Sequence, residues 1–224
     1  MPRRRSRFDS HPLPGWLQHS MERYVGRVPL WLFPELTPTA NLRFERLDFD
    51  NRDLVLGMFE TDESPFLDPA FKDDRKLYEY VAHQRICGPY SPKHGCADWI
   101  VLTAEGTPAG LLNAYDFSRE TWALNHRQCS VGYAMAAPYR GTGMASEALG
   151  ALESYLFQTF DMLMLLAYPK RENERSVRFL QRRGYLEKTE EYRGRDENRY
   201  FVLHRSPEAK QQMDRRYDNL GSQS

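Results

Sequence analysis

At 224 residues the chain holds one substantial core and is too short for two full domains. Its 31 basic and 31 acidic side chains cancel, so no global field draws it to nucleic acid or to an anionic membrane. The longest apolar run, residues 162–167, falls far short of the roughly 20 residues that a membrane-spanning helix needs, and three cysteines without paired metal spacing fit reduced thiols in a cytoplasmic protein with no metal site.

Residues 1–7 are basic but lead into no apolar signal core, which argues against secretion and for a flexible start. Leu17, Met21, Tyr24, Val25 and Val28 suggest a short helix, and the apolar stretch 28–34 is expected to pack on the main body or on a second subunit, leaving monomer and homodimer both open. Residues 1–39 therefore read as an N-terminal extension, residues 40–205 as the folded domain, and residues 206–224 as a tail with a short polar helix before a disordered Gly/Ser end.

Within the domain, residues 41–47 alternate as a half-solvated strand, and Asp50 or Asn51 caps a helix burying Leu54, Val55, Met58 and Phe59. A second helix over 73–86 turns Leu77, Tyr80 and Val81 inward. The loop that follows contains His94 and Cys96, read as ordinary loop residues. Residues 99–103 and 109–115 flank a turn and predict a hairpin, and residues 128–135 a fourth strand. Residues 162–168 form a continuous apolar strand suited to a sheet centre. Asn173 opens a helix that Gly184 ends, and residues 185–193 and 198–204 make a closing hairpin around 194–197. Strands first, a helical crossover later and a hairpin at the end predict an α/β fold with a mixed sheet and helices on both faces.

The most informative stretch lies between the fourth strand and the apolar one. Arg140-Gly-Thr-Gly-Met-Ala145 is a small-residue turn, and Met144, Ala145, Ala148, Leu149, Leu152, Tyr155, Leu156 and Phe160 then recur at three- and four-residue steps as one buried helical face. The helix is predicted to begin near Thr142. Its first N–H groups lack intrahelical partners and carry the positive end of the helix dipole, so the turn is an anion cradle that a phosphate can approach closely over Gly141 and Gly143. A dinucleotide fingerprint with Asp161 downstream is the competing reading. It fails because Ser146 replaces the third glycine and because Pro138-Tyr139-Arg140 separates strand from turn. No Lys follows the glycines, so the Walker pattern is absent.

Val131-Gly-Tyr-Ala-Met135 followed by Arg140-Gly-Thr-Gly-Met-Ala145, with Ser146-Glu147-Ala148 continuing it, resembles the cofactor motif of the GNAT superfamily of N-acetyltransferases, in particular its RimJ/RimL-like branch. A second motif, Asn173-Glu-Arg-Ser176 with Phe179, Leu180, Gly184 and Tyr185, is similar to the same branch at the same interval. The resemblance covers about 41–205. It implies a GNAT-like, mostly antiparallel twisted sheet of six to seven strands with a V-shaped splay between strands 4 and 5. It implies acetyl-CoA as co-substrate and a primary amine as acceptor, on a protein N-terminus or a small molecule, attacking directly without a covalent enzyme intermediate. Cofactor contacts are then expected from Tyr133, Ala134 and Met135 along the fourth strand, from Arg140, Gly141, Thr142, Gly143, Met144 and Ala145 at the turn, and from Asn173 and Ser176 at the later helix.

For catalysis the resemblance implies Ser176 as hydrogen-bond donor to the departing thiolate and Glu191, on a predicted sixth strand, as candidate base, with Glu190 and Tyr192 as competitors. Asn113, Tyr115 and Tyr168 are candidates for the acceptor side, and the acids Asp62, Glu63, Asp68, Asp73 and Asp74 hint at a polycationic acceptor. Cys129 is a rival nucleophile with no neighbouring His in the sequence. Two further readings remain open: a non-catalytic acyl-CoA-binding module, and transfer of another acyl group such as succinyl, for which Lys170 or Arg171 would have to reach the thioester end.

Overall fold

A computed structural model describes residues 35–87, 96–115, 127–191 and 197–221. The expected helix at 17–28, the apolar stretch 28–34, His94, Tyr192 and most of the turn 194–197 lie outside them. Seven strands form one sheet in the order β1-β2-β3-β4-β5-β7-β6. These are β1 (Leu42–Arg46), β2 (Ala97–Thr103), β3 (Pro108–Tyr115), β4 (Gln128–Met135), β5 (Met164–Ala167), β6 (Leu186–Glu187) and β7 (Phe201–His204). Every neighbouring pair is antiparallel except β4 and β5. Among the described residues five α-helices accompany it: α1 (Arg52–Phe59), α2 (Asp74–Cys87), α3 (Met144–Thr159), α4 (Glu174–Arg182) and α5 (Pro207–Gly221).

Strand alternation divides the core. Trp99, Val101, Leu112, Ala114, Cys129 and Val131 face α3, while Ile100, Leu102 and Leu111 face α1 and α2. Trp99 packs edge-on against Tyr155 of α3, with ring centroids 5.8 Å apart. Under β5 and β7 a third cluster sets Met164, Leu166 and Val202 against Ala209 and Met213 of α5. Among the described residues no helix is long and apolar enough to cross a membrane.

Two local readings change. In α1 only Val55 and Phe59 of the predicted apolar set are fully buried, and Leu54 is exposed, because eight residues give the helix a narrow contact stripe. Asn51 precedes α1 without capping it. Its Nδ2 donates to the Arg46 carbonyl at 2.8 Å and its Oδ1 accepts from the Asp48 N–H, bracing the connection from β1.

Beneath α2, Asp98 is a buried carboxyl on β2. Burial pushes it up to about 6, against hydrogen bonds from Tyr80 and Gln84 and the charge of Arg46. The folded state therefore holds this proton more tightly than the unfolded chain. The stability it contributes is present below about pH 4 and is lost as pH rises through about 6. Replacing Asp98 with Asn removes that term: between pH 5 and pH 7.5 the variant should gain on the wild type by on the order of 1 kcal/mol. Urea midpoints at the two pH values test this, and an unchanged gap would refute it.

Candidate active site

The site is built on an incomplete strand pair. β5 pairs with β4 from Gln128 to Ser130, in register with Met164 to Leu166, and no further. The Ala136 N–H donates to the Ala109 carbonyl at 2.9 Å, which fixes the parity of β4. Even-numbered amides face β3, and those of Tyr133 and Met135 face the edge that β5 leaves uncovered. A cleft of about 660 Å³ opens there, between β4, the starts of α3 and α4, and the loop at 64–67. This is the V-shaped splay that the resemblance implied.

At one end of the cleft lies the glycine turn. Ala137–Tyr139 form a short 3-10 turn after β4, Gly141 and Gly143 adopt φ of 85° and 94°, and α3 starts at Met144 with Gly143 as its N-cap. The helix thus begins two residues later than the periodicity suggested. A Cβ on Gly143 would meet nothing within 4 Å, so the space above the turn is open. That geometry fits an anion held by backbone N–H groups. β4, α3 and the parallel β5 do make one βαβ crossover. A 3-10 turn separates β4 from the glycines, however, and the rest of the sheet is antiparallel, which is not the parallel sheet that the dinucleotide reading requires.

Among the described residues the charged side chains that line the cleft are Arg140, Arg175, Arg182 and Arg183, although the whole chain is neutral. A guanidinium nitrogen of Arg175 comes within 3.8 Å of where a Cβ on Gly141 would stand. Arg183, the C-cap of α4, donates to the carbonyl and hydroxyl oxygens of Ser146, both at 2.8 Å, and pairs with the buried Glu153 of α3. Arg175, Arg182 and Arg183 were not anticipated. The seven-residue step from Arg175 to Arg182 puts both on one helical face, and this spacing was the available signal.

Across the cleft the Tyr133 hydroxyl and the Ser176 hydroxyl are hydrogen-bonded at 2.6 Å. The Tyr133 ring packs on Phe179 with centroids 4.9 Å apart. Burial pushes the phenol up to about 12 despite the bond from Ser176, so the pair keeps its protons at neutral pH. Asn173 caps α4, its Oδ1 accepting the Ser176 N–H at 3.1 Å. Sequence had assigned Tyr133 a backbone role only, and its hydroxyl was missed.

Of the other expected cofactor residues, Ala134, Met135, Arg140, Gly141, Gly143, Ala145, Asn173 and Ser176 line the cleft. Thr142 and Met144 do not. Thr142 turns its hydroxyl to the Tyr139 carbonyl at 2.8 Å, and Met144 packs against the α3 core. Arg140 commits its guanidinium to protein partners, with Nε donating to the Met135 carbonyl at 2.9 Å and Nη2 paired with Asp62. Glu147 does not face the cleft. It anchors the incoming chain, accepting from Thr39 and from the Asn41 N–H at 3.2 Å, and these bonds hold its carboxyl below the usual range.

The candidate base is placed differently from the expectation. The predicted sixth strand is only Leu186–Glu187, and Glu191 ends a 3-10 turn at Thr189–Glu191, so strand alternation does not govern where it points. Its side chain lies outside the described ones. Cys129 is buried in the α3-side core, away from solvent. Asn113 extends over Gly132 on the α2 side of the sheet, Tyr115 ends β3, and Tyr168 stacks on Tyr200. Lys170 pairs with Glu197 at 2.9 Å, and neither it nor Arg171 lines the cleft.

The sequence also matches a protein-family model, the acetyltransferase (GNAT) domain, over residues 42–186. The chain belongs to the GNAT acetyltransferase family. No curated protein matches it by sequence. Among solved structures it is similar to a protein from Vibrio cholerae assigned as a ribosomal-protein-serine acetyltransferase, with TM-score 0.61 and 15% identity over 77% of this chain and 98% of that one. It is similar also to a ribosomal-protein-S5-alanine acetyltransferase from Vibrio fischeri, with TM-score 0.59 and 14% identity over 76% and 97% of the two chains. A spermidine N-acetyltransferase from Vibrio cholerae gives TM-score 0.57 and 15% identity over 75% and 96%. These likenesses establish the shared GNAT fold.

Gly143→Ala tests the turn. With open space around the new methyl, its structural cost is the left-handed backbone alone, about 1–2 kcal/mol. Denaturant melts should show that loss, and calorimetry with acetyl-CoA should show at least about a tenfold weaker affinity, 1.4 kcal/mol or more, as the methyl enters the cleft. Unaltered affinity would remove the turn from the binding site.

Proposed function

We propose that this chain is an acetyl-CoA-dependent N-acetyltransferase of the RimJ/RimL-like kind, acting by direct attack of a primary amine on the thioester. The observation that carries the reading is the continuity of the cleft. A glycine turn with arginines around it stands at one end, exposed β4 amides run along the side, and a protonated hydroxyl pair closes the far wall.

In this reading Gly141, Gly143 and the first amides of α3 hold the pyrophosphate, with Arg175 as a second, charged contact. The Tyr133 and Met135 amides pair with the pantetheine arm as a strand would, and one of them donates to the thioester oxygen as negative charge develops. A preorganised donor of this type is worth about 3 kcal/mol in other acyl-transfer enzymes. Tetrahedral collapse breaks the C–S bond, and Ser176, backed by the Tyr133 hydroxyl, supplies a hydrogen bond to the departing sulfur. The amine gives up its proton to solvent or to a base for which Glu191 remains the candidate.

On the acceptor side the acidic hint weakens. Asp62 is paired with Arg140, Asp68 and Asp73 cap the turn and helix that follow them, and Asp74 is 3.0 Å from Arg52. The lip facing the cleft is Ser64, Pro65, Phe66 and Leu67 instead. An amine with an apolar or peptide flank suits it better than a polycation. Acetylation of N-terminal peptides should exceed that of spermidine by at least about tenfold in kcat/KM, followed by release of the CoA thiol, and a preference for spermidine would refute this assignment.

Acetyl-CoA at about 100 times its Kd should stabilise the fold by roughly 2.7 kcal/mol, read as a thermal shift that NADH and ATP do not produce. Ser176→Ala and Tyr133→Phe should lower kcat by about 100-fold while leaving that shift in place. A shift without transfer to any amine would support the non-catalytic acyl-CoA-binding module, and a larger shift with succinyl-CoA would support the other donor.

A further inference from the structure

The lip at 64–67 is anchored at its far end by Leu67, buried in the core with Val55 and Phe59, and at its base by one side chain. Asp62 is buried at 3% side-chain exposure. Its Oδ1 accepts the Ser64 N–H at 2.8 Å, its Oδ2 is paired with Arg140, its carbonyl receives the Lys72 ammonium, and its own N–H reaches the Phe59 carbonyl at 3.0 Å. Between Ser64 and the buried Leu67 the lip is held loosely. Phe66 and Leu67 donate to Ser64 oxygens at 3.4 Å, and Phe66 is 41% exposed. Such a segment opens at low free energy unless something pins its base.

What pins it belongs to the cofactor turn. Arg140 is the first residue of that turn, and its fork spans two partners, the Met135 carbonyl at the end of β4 and the Asp62 carboxylate 78 residues away in sequence. A buried carboxylate left without its cation is strongly destabilised, so the two segments move together or the pair is broken at high cost. Burial alone would raise the Asp62 carboxyl; the Ser64 N–H and the Arg140 guanidinium outweigh it and hold the group below its ordinary value.

We propose that Asp62 is a positioning residue that latches the acceptor lip to the cofactor turn through Arg140, so that filling the turn with the phosphates of acetyl-CoA stiffens the surface that the amine meets. This rests on the acetyl-CoA reading above. Anchoring the amides after Arg140 restricts its backbone, its guanidinium and then Asp62, and a lip ordered by the first substrate need not be ordered again by the second.

Hydrogen exchange on the full chain, with and without saturating acetyl-CoA, tests the latch. In the wild type, exchange should slow at 141–147 and, by about fivefold or more, at 63–67. Asp62→Asn keeps an acceptor for Ser64 but turns an amide donor toward Arg140, so slowing should persist at 141–147 and vanish at 63–67. Arg140→Lys retains the charge without the fork and should give a partial response, which keeps the test usable if Asp62→Asn folds poorly. Slowing confined to 141–147 in the wild type, or retained at 63–67 in Asp62→Asn, overturns the latch while leaving the cofactor site intact. No slowing anywhere in the wild type overturns the cofactor reading and the latch with it.

Discussion

Everything in the cleft depends on β4 losing its partner after Ser130. A strand edge exposed inside a fold presents backbone donors and acceptors that must be paired with something. Here the Met135 carbonyl is taken by Arg140, while the Tyr133 and Met135 amides face the gap. The Tyr133 ring, wedged on Phe179 and tied to Ser176, fills the space beside the departing strand. The splay is thus a packed feature, and a ligand that imitates a strand is the natural occupant of its edge.

The core around the cleft makes this arrangement affordable. Trp99, Leu112 and Leu152 on one face and Val55, Phe59 and Leu77 on the other are fully or almost fully buried, so β2 and β3 form a rigid floor to which β4 is paired from Ser130 to Met135. Within the cleft the positive φ angles fall at Gly141 and Gly143, in the turn between β4 and α3.

What sequence revealed and what it concealed divide along the range of the interactions. The bounds of β4, the cap at Asn173 and the glycine turn were legible because each is set by neighbours within a few residues. The pairing of Asp62 with Arg140 was not, since two residues 78 apart carry no local mark of contact. The acids at 62–74 read as a charged patch, yet most of them terminate turns and helices or pair with arginines. The Tyr133 hydroxyl escaped notice because alternation gives the face of a strand residue but not what stands opposite. At Glu191 the error was of element type, a 3-10 turn where a strand was expected, and the polar run from Glu187 to Arg193 offered no apolar period to separate the two.

The contacts of Arg183 set a dimension. By holding Ser146 and Glu153 from the end of α4, it fixes the separation between the helix that starts at the glycine turn and the helix that carries Ser176. The site is in that sense a ruler. For the proposed donor, the reach of the pantetheine arm is measured against two helices clamped at one spacing, so a truncated thioester such as an acetylated cysteamine can touch one end of the scale but not both.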